Sequence, residues 1–598
     1  MVLLVLMVSP AVMPSGLLGE EKGPGGMYYT FGNDADGTSA SLYKSLGVTS
    51  IESYVTWESC EGKGLDQWDW SKWDQQVQIL QENGLKWVPF LILSPAYSTP
   101  GWFRAGPEHV PCRCLEHEID SKIESLWNPN LPPWIDRFLA KFAQRYGKSG
   151  VIESVLLGIQ GDFGEAIYSV SGGGWTFEIP GEYHNHQGFW CGDSYALADF
   201  RKYAAEKYQT AERINQAWGT SFTGIGEADF PGRQEKLAEF RQRLKAGKPQ
   251  DRRYWLDFVD WYRESMTRWS DWWMATTRKH FPHTPIYLCT GGHAIAEHGS
   301  NFAEQCRVAA RHQAGVRITN EGSDYKVNFG FTRWVASARK FYGAYYGFEP
   351  AGPEDEWGIV ARIYNATASG ANQLHDYNSN VVQSEERKQA QQKHLKYLFH
   401  VENPVVPIAL WYPNVSMTLE WGDFLERAMR WRDYTDFDFV DETMLRNGAL
   451  AQHQILLIVQ GPVMETKDAE KIAEWLSAGG CAVVMEIPKL ESVEGSAEPE
   501  QILFGGETGG RTLGKGRITR VSGWGALAGA VREILKERKL PVYDLQPDNI
   551  FGTQIAEDRF LFLNRNADEI SMEIFLNDRQ QILRLPGMTI SDSKVIFP

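Results

Sequence analysis

A chain of 598 residues with 43% hydrophobic content is too long for one ordinary domain and carries enough apolar material for several cores. Its net charge of −16 excludes the basic footprint that a phosphate-backbone partner requires, so no nucleic acid is expected. Seven scattered cysteines, an odd number, imply no disulfide framework.

The chain opens on MVLLVLMVSPAVMPSG, an apolar stretch with no Lys or Arg before it, a poor signal peptide and too short to span a bilayer. No later apolar run reaches membrane length, so residues 1–24 read as an extension, no membrane partner is expected, and the compartment stays open between cytoplasm and export. From residue 25 onward, strand-like and helix-like segments alternate. GGMYYTFGN, TSIESYVTWESCEG and LKWVPFLILSP predict the first three strands, the third following a helix, SKWDQQVQILQENG, with Gly84 as its stop signal. ESVLLGIQGDFGEAIYSV supplies the fourth, and TPIYLCTGGHA, GVRITNEGSDY, GAYYGFEPAG and GANQLHDYNSN the fifth to eighth. Eight strands interleaved with helices predict a (β/α)8 TIM barrel over residues 25–404.

The fourth strand carries the chemistry. Its apolar run VLLGI reads as a parallel strand buried on both faces, and it ends in glycines and two acids, Asp162 and Glu165, close to Tyr168. Carboxylates there would sit on the C-terminal rim, where barrel enzymes keep their reactive groups. The seventh strand ends likewise at Glu349. Two strand-end carboxyls suggest glycoside hydrolysis on a carbohydrate substrate, one protonated to help the leaving oxygen depart and one ionised to attack or stabilise the anomeric carbon; their separation, about 5–5.5 Å or about 6.5–9.5 Å, decides between retention and inversion. Burial beside Phe163 and Tyr168 would raise the pKa of the acid. Trp57, Glu58, Trp127, Asn128, Tyr168, His293, Asn320, Glu321, His375 and Asp376 lie at predicted strand ends, and Trp357 follows Glu349; these are the candidates for lining a sugar site. A catalytically dead carbohydrate-binding barrel is the competing reading, and two strand-end acids argue against it.

No cofactor is expected. Cys112 and Cys114 in HVPCRCLEH, with His109 and His117, offer zinc-type donors, but C-x-C is not the usual spacing of closed zinc sites, so no metal is expected either. After residue 404 a second alternation, NPVVPIALWYPN, QHQILLIVQGP, KDAEKIAEWLSAGG and CAVVMEIP, predicts a flavodoxin-like α/β unit over 405–540. Its GGRTLGKGR nearly satisfies the phosphate-loop pattern, but Gly516 stands where a Ser or Thr would hold magnesium and the following RITRV is strand-like, which argues against nucleotide binding. DRFLFLNRN, SMEIFLN and QQILRLPG then predict a small β-sandwich over 541–598.

The segment CGDSYALADFRKYAAEKYQTAERINQAWGTSF, residues 191–222, resembles the helix after strand four in glycoside hydrolase family 42, the β-galactosidases, and the order of the three units is similar to that family's plan. The resemblance implies a retaining, exo-acting β-galactosidase or related β-glycosidase. It also implies that the α/β unit assists assembly, giving a homo-oligomer, a trimer in that family. The sequence departs from the family at strand four, which lacks its Asn-Glu pair. Placing Asp-Phe-Gly on the family's Glu-Tyr-Gly makes Asp162 the acid. GDFGEAIYS is instead similar to the strand-four region of the β-amylases, family 14, which makes Glu165 the acid and opens an inverting alternative. Glu165 is preferred as the longer side chain, leaving Asp162 to hydrogen-bond within the turn, with Glu349 as nucleophile.

Overall fold

The computed structural model describes residues 26–32, 39–169, 184–233, 236–245, 247–292, 295–320, 323–350, 354–422, 424–543, 549–576 and 579–595; the extension expected over 1–24 lies outside them. All eight expected strands form. They are β1 (Tyr28–Phe31), β2 (Ser50–Thr56), β3 (Lys86–Ile92), β4 (Val155–Gly158), β5 (Ile286–Thr290), β6 (Gly315–Asn320), β7 (Tyr345–Pro350) and β8 (Gln373–Asp376), and they close into one parallel barrel, each strand beside the next and β8 beside β1. Strand pleating sorts their side chains. On β3, Val88, Phe90 and Ile92 join Leu156, Tyr287, Cys289 and Tyr345 in a buried cluster inside the barrel, whereas Trp87 and Leu91 face the surrounding helices.

The barrel interior is not wholly apolar. Arg317 on β6 pairs with Glu52 on β2, both fully buried, and donates to Gln373 Oε1 on β8 at 3.2 Å. Gln373 Nε2 in turn donates to Glu153 Oε1 at 2.7 Å, and the Ser50 hydroxyl donates to the same carboxyl group. Burial pushes Glu153 up to about 7. One guanidinium thus links strands from opposite parts of the barrel through groups that have no access to water.

The 191–222 segment folds as two helices, Ser194–Tyr208, capped by the Asp193 side chain, and Ala211–Trp218. Its signature is structural: Trp218 stacks on Tyr254 and donates to Asp257 at 2.7 Å, while Asn215 Oδ1 accepts from Thr220 Oγ1 and Phe222 N. A helix spanning Pro249–His280 follows and carries the barrel onto the next unit, with Arg253 on Glu465 at 2.8 Å and Trp255 Nε1 on the Thr418 carbonyl at 2.8 Å.

That unit is a six-stranded sheet built from β9 (Ile408–Trp411), β10 (Asp438–Val440), β11 (Ile455–Ile458), β12 (Cys481–Met485), β13 (Gly510–Leu513) and β14 (Gly516–Val521). The order is β10-β9-β11-β12-β14-β13, parallel except for the β13 edge, which is the flavodoxin-like arrangement. GGRTLGKGR becomes the β13–β14 hairpin, turning at Gly514 with φ +59°, so this stretch opens no helix on which a phosphate could sit. Residues from Val542 onward form two three-stranded sheets whose facing side chains, among them Phe560, Phe562, Ile574 and Leu585, make a core of their own.

The buried pair inside the barrel has a measurable consequence. Arg317→Met leaves the Glu52 and Glu153 carboxyls without their cation and is expected to destabilise the fold by about 3–5 kcal/mol, as removal of one partner of a buried pair does. Arg317→Met combined with Glu52→Gln is expected to recover most of that loss in urea unfolding. A single variant within about 1 kcal/mol of the parent would show that the pair contributes little.

Candidate active site

The end of β4 is governed by glycines. A Cβ at Gly158 would lie 2.7 Å from Ile92 Cγ1 and 2.9 Å from Phe90 Cε2, so only hydrogen fits between β4 and the side chains of β3. The chain then doubles back: Ile159 N donates to the Gly164 carbonyl at 2.8 Å, and a Cβ at Gly164 would stand 3.0 Å from the Gly158 Cα. Gly161 and Gly164 take φ of +65° and +114°, conformations that residues with side chains avoid. Tyr97 Oη donates to the Phe163 carbonyl at 3.1 Å and holds the turn from the β3 side.

The two acids of this turn have different surroundings. Asp162 is buried, accepting from the Ser169 hydroxyl at 2.8 Å and from the Asn185 carboxamide. Glu165 is half-buried. Its Oε2 accepts from Phe163 N at 3.3 Å, and its stem lies over Gly291 at the end of β5, where a Cβ would come 3.2 Å from Glu165 Cγ and 2.6 Å from Thr319 Oγ1 on β6. Glu165 therefore stands where β4, β5 and β6 end, while Asp162 is committed to holding the loop. Around the same mouth are half-buried tyrosines that the sequence reading overlooked: Tyr54 and Tyr377 meet hydroxyl to hydroxyl at 3.2 Å, Tyr54 stands edge-on to Phe90, and Tyr97 braces the turn. The signal was there in the parity of β2, whose Ser50, Glu52 and Tyr54 share one face.

Residues 126–389 match glycosyl hydrolase family 14. Within the chain, 238 residues are 24% identical to a thermophilic β-amylase of Thermoanaerobacterium thermosulfurigenes, covering 38% of this chain and 40% of that protein, so the match spans less than half the relative's length. The catalytic domain of a Paenibacillus polymyxa β-amylase superposes with a TM-score of 0.51 and 18% identity over 62% of this chain and 97% of its own. The whole chain, however, shares its fold with a cold-adapted β-galactosidase from Rahnella sp. R3, with a TM-score of 0.70 and 12% identity over 97% of this chain and 99% of that one. Both resemblances drawn from the sequence are thus present: family 14 in the barrel's sequence, the family 42 β-galactosidases in the three-part fold.

Against this barrel the remaining candidates fall into three groups. Glu58 is exposed after β2, accepting from Gly101 N at 3.2 Å, and Trp357 is half-buried in the first turn of the helix after β7 (Glu356–Ala368), where Asp355 does the capping. Both retain open faces. Trp127 is partly covered, sandwiched between Tyr168 and Trp261 at centroid distances of 5.8 and 5.2 Å. The second group is buried and has no face left for a sugar. Trp57 packs on Trp102, Phe103 and Trp134 and donates to Glu61; Asn128 ties the Glu108 carbonyl at 2.8 Å; Tyr168 stacks 3.7 Å from Tyr262 and donates to its carbonyl. His375 sits inside the barrel on Thr30 Oγ1 at 2.8 Å, its pKa driven well below the ordinary range by burial and then by Arg317 and Arg362, so it is neutral. Asp376 accepts from Tyr29 Oη at 2.8 Å beside Arg362, and burial raises it to about 6. His293 and Glu321 lie outside the described residues. Asn320 ends β6 and Glu349 is the last residue but one of β7, with Thr319 opposite Glu349 and Asn320 opposite Pro350; their side chains are not among those described.

The zinc-type donors of HVPCRCLEH divide. His109 pairs with the buried Glu124 at 2.5 Å, and Cys112 contacts the Glu124 carbonyl and Gln160, whereas Cys114 and His117 converge with His184 and His186. The C-x-C spacing misled because Cys112 lies on the strand Pro111–Arg113 and Cys114 just past its end, each with its own partners, and the other donors arrive from a distant segment.

If Asp162 is the anchor of the turn, Asp162→Ala leaves Ser169 and Asn185 without their buried acceptor and is expected to cost about 1–3 kcal/mol of stability. Asp162→Asn keeps an acceptor and should lose less. Chemical denaturation of both variants checks this, and an unchanged stability in Asp162→Ala would contradict the anchoring role.

Proposed function

We propose that the chain is a glycoside hydrolase that uses two carboxyl groups, with Glu165 as the general acid and Glu349 as its partner. The observation that carries this is the half-buried Glu165, delivered to the mouth of a parallel eight-stranded barrel by a turn whose other acid is already bonded to Ser169 and Asn185. Glu349, the last residue but one of β7, has the same strand parity as Tyr345 and Gly347, positions that face the barrel interior. The tyrosine-rich mouth supplies flat apolar faces and hydroxyls of the kind that hold sugar rings.

The reaction follows from the two environments. Glu165 donates its proton to the glycosidic oxygen as the bond to the anomeric carbon breaks, and charge builds on the ring as an oxocarbenium-like state. Glu349, ionised, attacks the anomeric carbon from the other face, and in the second step Glu165 takes a proton from the incoming water. This retaining reading, acting at a chain end on a β-galactoside or a related β-glycoside, draws support from the three-part fold shared with β-galactosidases. An inverting, β-amylase-like reaction, in which Glu349 instead activates water, is the second reading, and the family 14 match across both glutamates favours it. Self-association through the α/β unit, as a homo-oligomer or trimer, belongs to the first reading.

A panel of aryl β-glycosides and a starch-type glucan, with the anomeric configuration of the first-formed product followed by proton NMR, separates these outcomes. The proposal expects β-glycoside hydrolysis with retention. Maltose released with inversion would establish the second reading, and no turnover of either class would overturn the enzyme assignment in favour of a binding barrel.

A further inference from the structure

The loops after β3 and β4 meet in a cluster that the reaction does not use. The hairpin Pro111–Arg113 and Asp120–Glu124 brings up Cys114 and His117; the segment that returns to the barrel after β4 brings up His184 and His186. The four ligand atoms lie within 4.8 Å of one another. Cys114 Sγ is 3.0 Å from His186 Nε2 and 3.4 Å from His117 Nδ1, and those two nitrogens are 3.2 Å apart. The His184 ring stands edge-on to both other imidazoles at centroid distances of 5.2 and 5.1 Å.

These separations are the edges of a small tetrahedron. Bonds of about 2.0–2.1 Å to nitrogen and about 2.3 Å to sulfur place the ligands of a tetrahedral zinc roughly 3.3–3.8 Å from each other, so the cluster needs little adjustment to hold the ion. Protonation favours the same occupant: the Gln187 carbonyl lies 3.0 Å from His186 Nδ1 and accepts its proton, which leaves the Nε2 lone pair directed at the cluster. The supporting shell is also present. His117 N donates to Cys114 Sγ at 3.3 Å, as a thiolate invites, and Trp190 covers His184 and His186 while donating to the Ser169 and His186 carbonyls. Three imidazoles and one thiol facing inward are a poor packing arrangement and a good ligand set for zinc.

We propose that Cys114, His117, His184 and His186 bind a structural zinc ion that clamps the β3 hairpin to the segment after β4 and so holds Asn185 on Asp162. Four protein ligands close the coordination sphere and leave no position for water or substrate, so the ion orders the chain rather than reacting. Asn185 sits between two of the ligands and donates to Asp162 Oδ1, the anchor of the turn that carries Glu165. The zinc site stands whatever the reaction is; only the importance of its hold on Asp162 rests on the assignment of that turn to catalysis.

The test uses the full chain, purified without chelator and assayed for metal by mass spectrometry. One zinc per chain is expected, retained in Cys112→Ser and lost in Cys114→Ser and in His186→Ala, with circular dichroism reporting that each variant is folded. Replacement by Co2+ should give tetrahedral d–d bands and a thiolate charge-transfer band that vanishes in Cys114→Ser. Hydrogen exchange then reads the clamp without reference to activity: zinc removal should speed exchange at amides 159–169, and Asn185→Ala should do the same with its zinc intact. A folded protein that takes up no zinc from an equimolar solution, or a Cys114→Ser variant that keeps its zinc, overturns the site. Bound zinc whose removal leaves exchange at 159–169 unchanged overturns the clamp alone.

Discussion

The mouth of the barrel depends on two positions that cannot carry a side chain. Phe90 and Ile92 of β3 fill the space beside Gly158, and the returning Gly164 lies against the Gly158 Cα, so the strand-four turn has one compact way to close. Closing it that way buries Asp162 under Ser169 and Asn185 and brings Glu165 out over Gly291 and Thr319. A larger residue at either glycine would force backbone apart and move the carboxyl group that the proposed chemistry requires, and displacements of an ångström are costly to catalysis.

The same barrel divides its polar groups by task. Inside, Arg317, Glu52, Gln373 and Glu153 bond to one another away from water, and His375 belongs with them, whereas Asp376 faces the surrounding helices with Tyr29 and Arg362. Such a network adds little net stability when complete, but losing one member leaves charge or lone pairs exposed to a low-dielectric interior, which specifies a single arrangement of the strands. At the rim, Glu165 and the tyrosines Tyr54, Tyr97 and Tyr377 keep partial access to solvent. The proposed chemistry sits where the glycines open the wall, and rigidity where the arginine closes it.

Much of this architecture was legible in the sequence because hydrophobic periodicity reports element type and length directly: the eight barrel strands, the helix ending before Gly84 and the helix Thr466–Ala478 all fall where the patterns place them. Periodicity says less about which end residues remain open. Trp57, Asn128 and Tyr168 follow strands as a sugar-binding residue would, yet Trp134 covers Trp57 and Tyr262 covers Tyr168, both from helices distant in sequence, and the Glu108 carbonyl holds Asn128. His375 and Asp376 were misplaced for a related reason: consecutive residues of a strand alternate, so His375 points into the barrel and Asp376 toward the helices, and neither points onto the rim. Only half of the Cys114–His117–His184–His186 cluster could be read from local spacing, since Cys114 and His117 stand together in the chain but Cys114 meets His186 across 72 positions.

The account turns on Glu165 being the acid and Asp162 the anchor, and leaving-group dependence measures this directly. With a glycoside that the protein hydrolyses and its activated phenol counterpart, Glu165→Ala should lose about 10²–10⁴-fold on the poor leaving group and far less on the activated one at the glycosylation step. Asp162→Ala should change both rates by a similar factor. If instead Asp162→Ala shows the selective loss and Glu165→Ala does not, the roles are exchanged and the account of the strand-four turn is wrong.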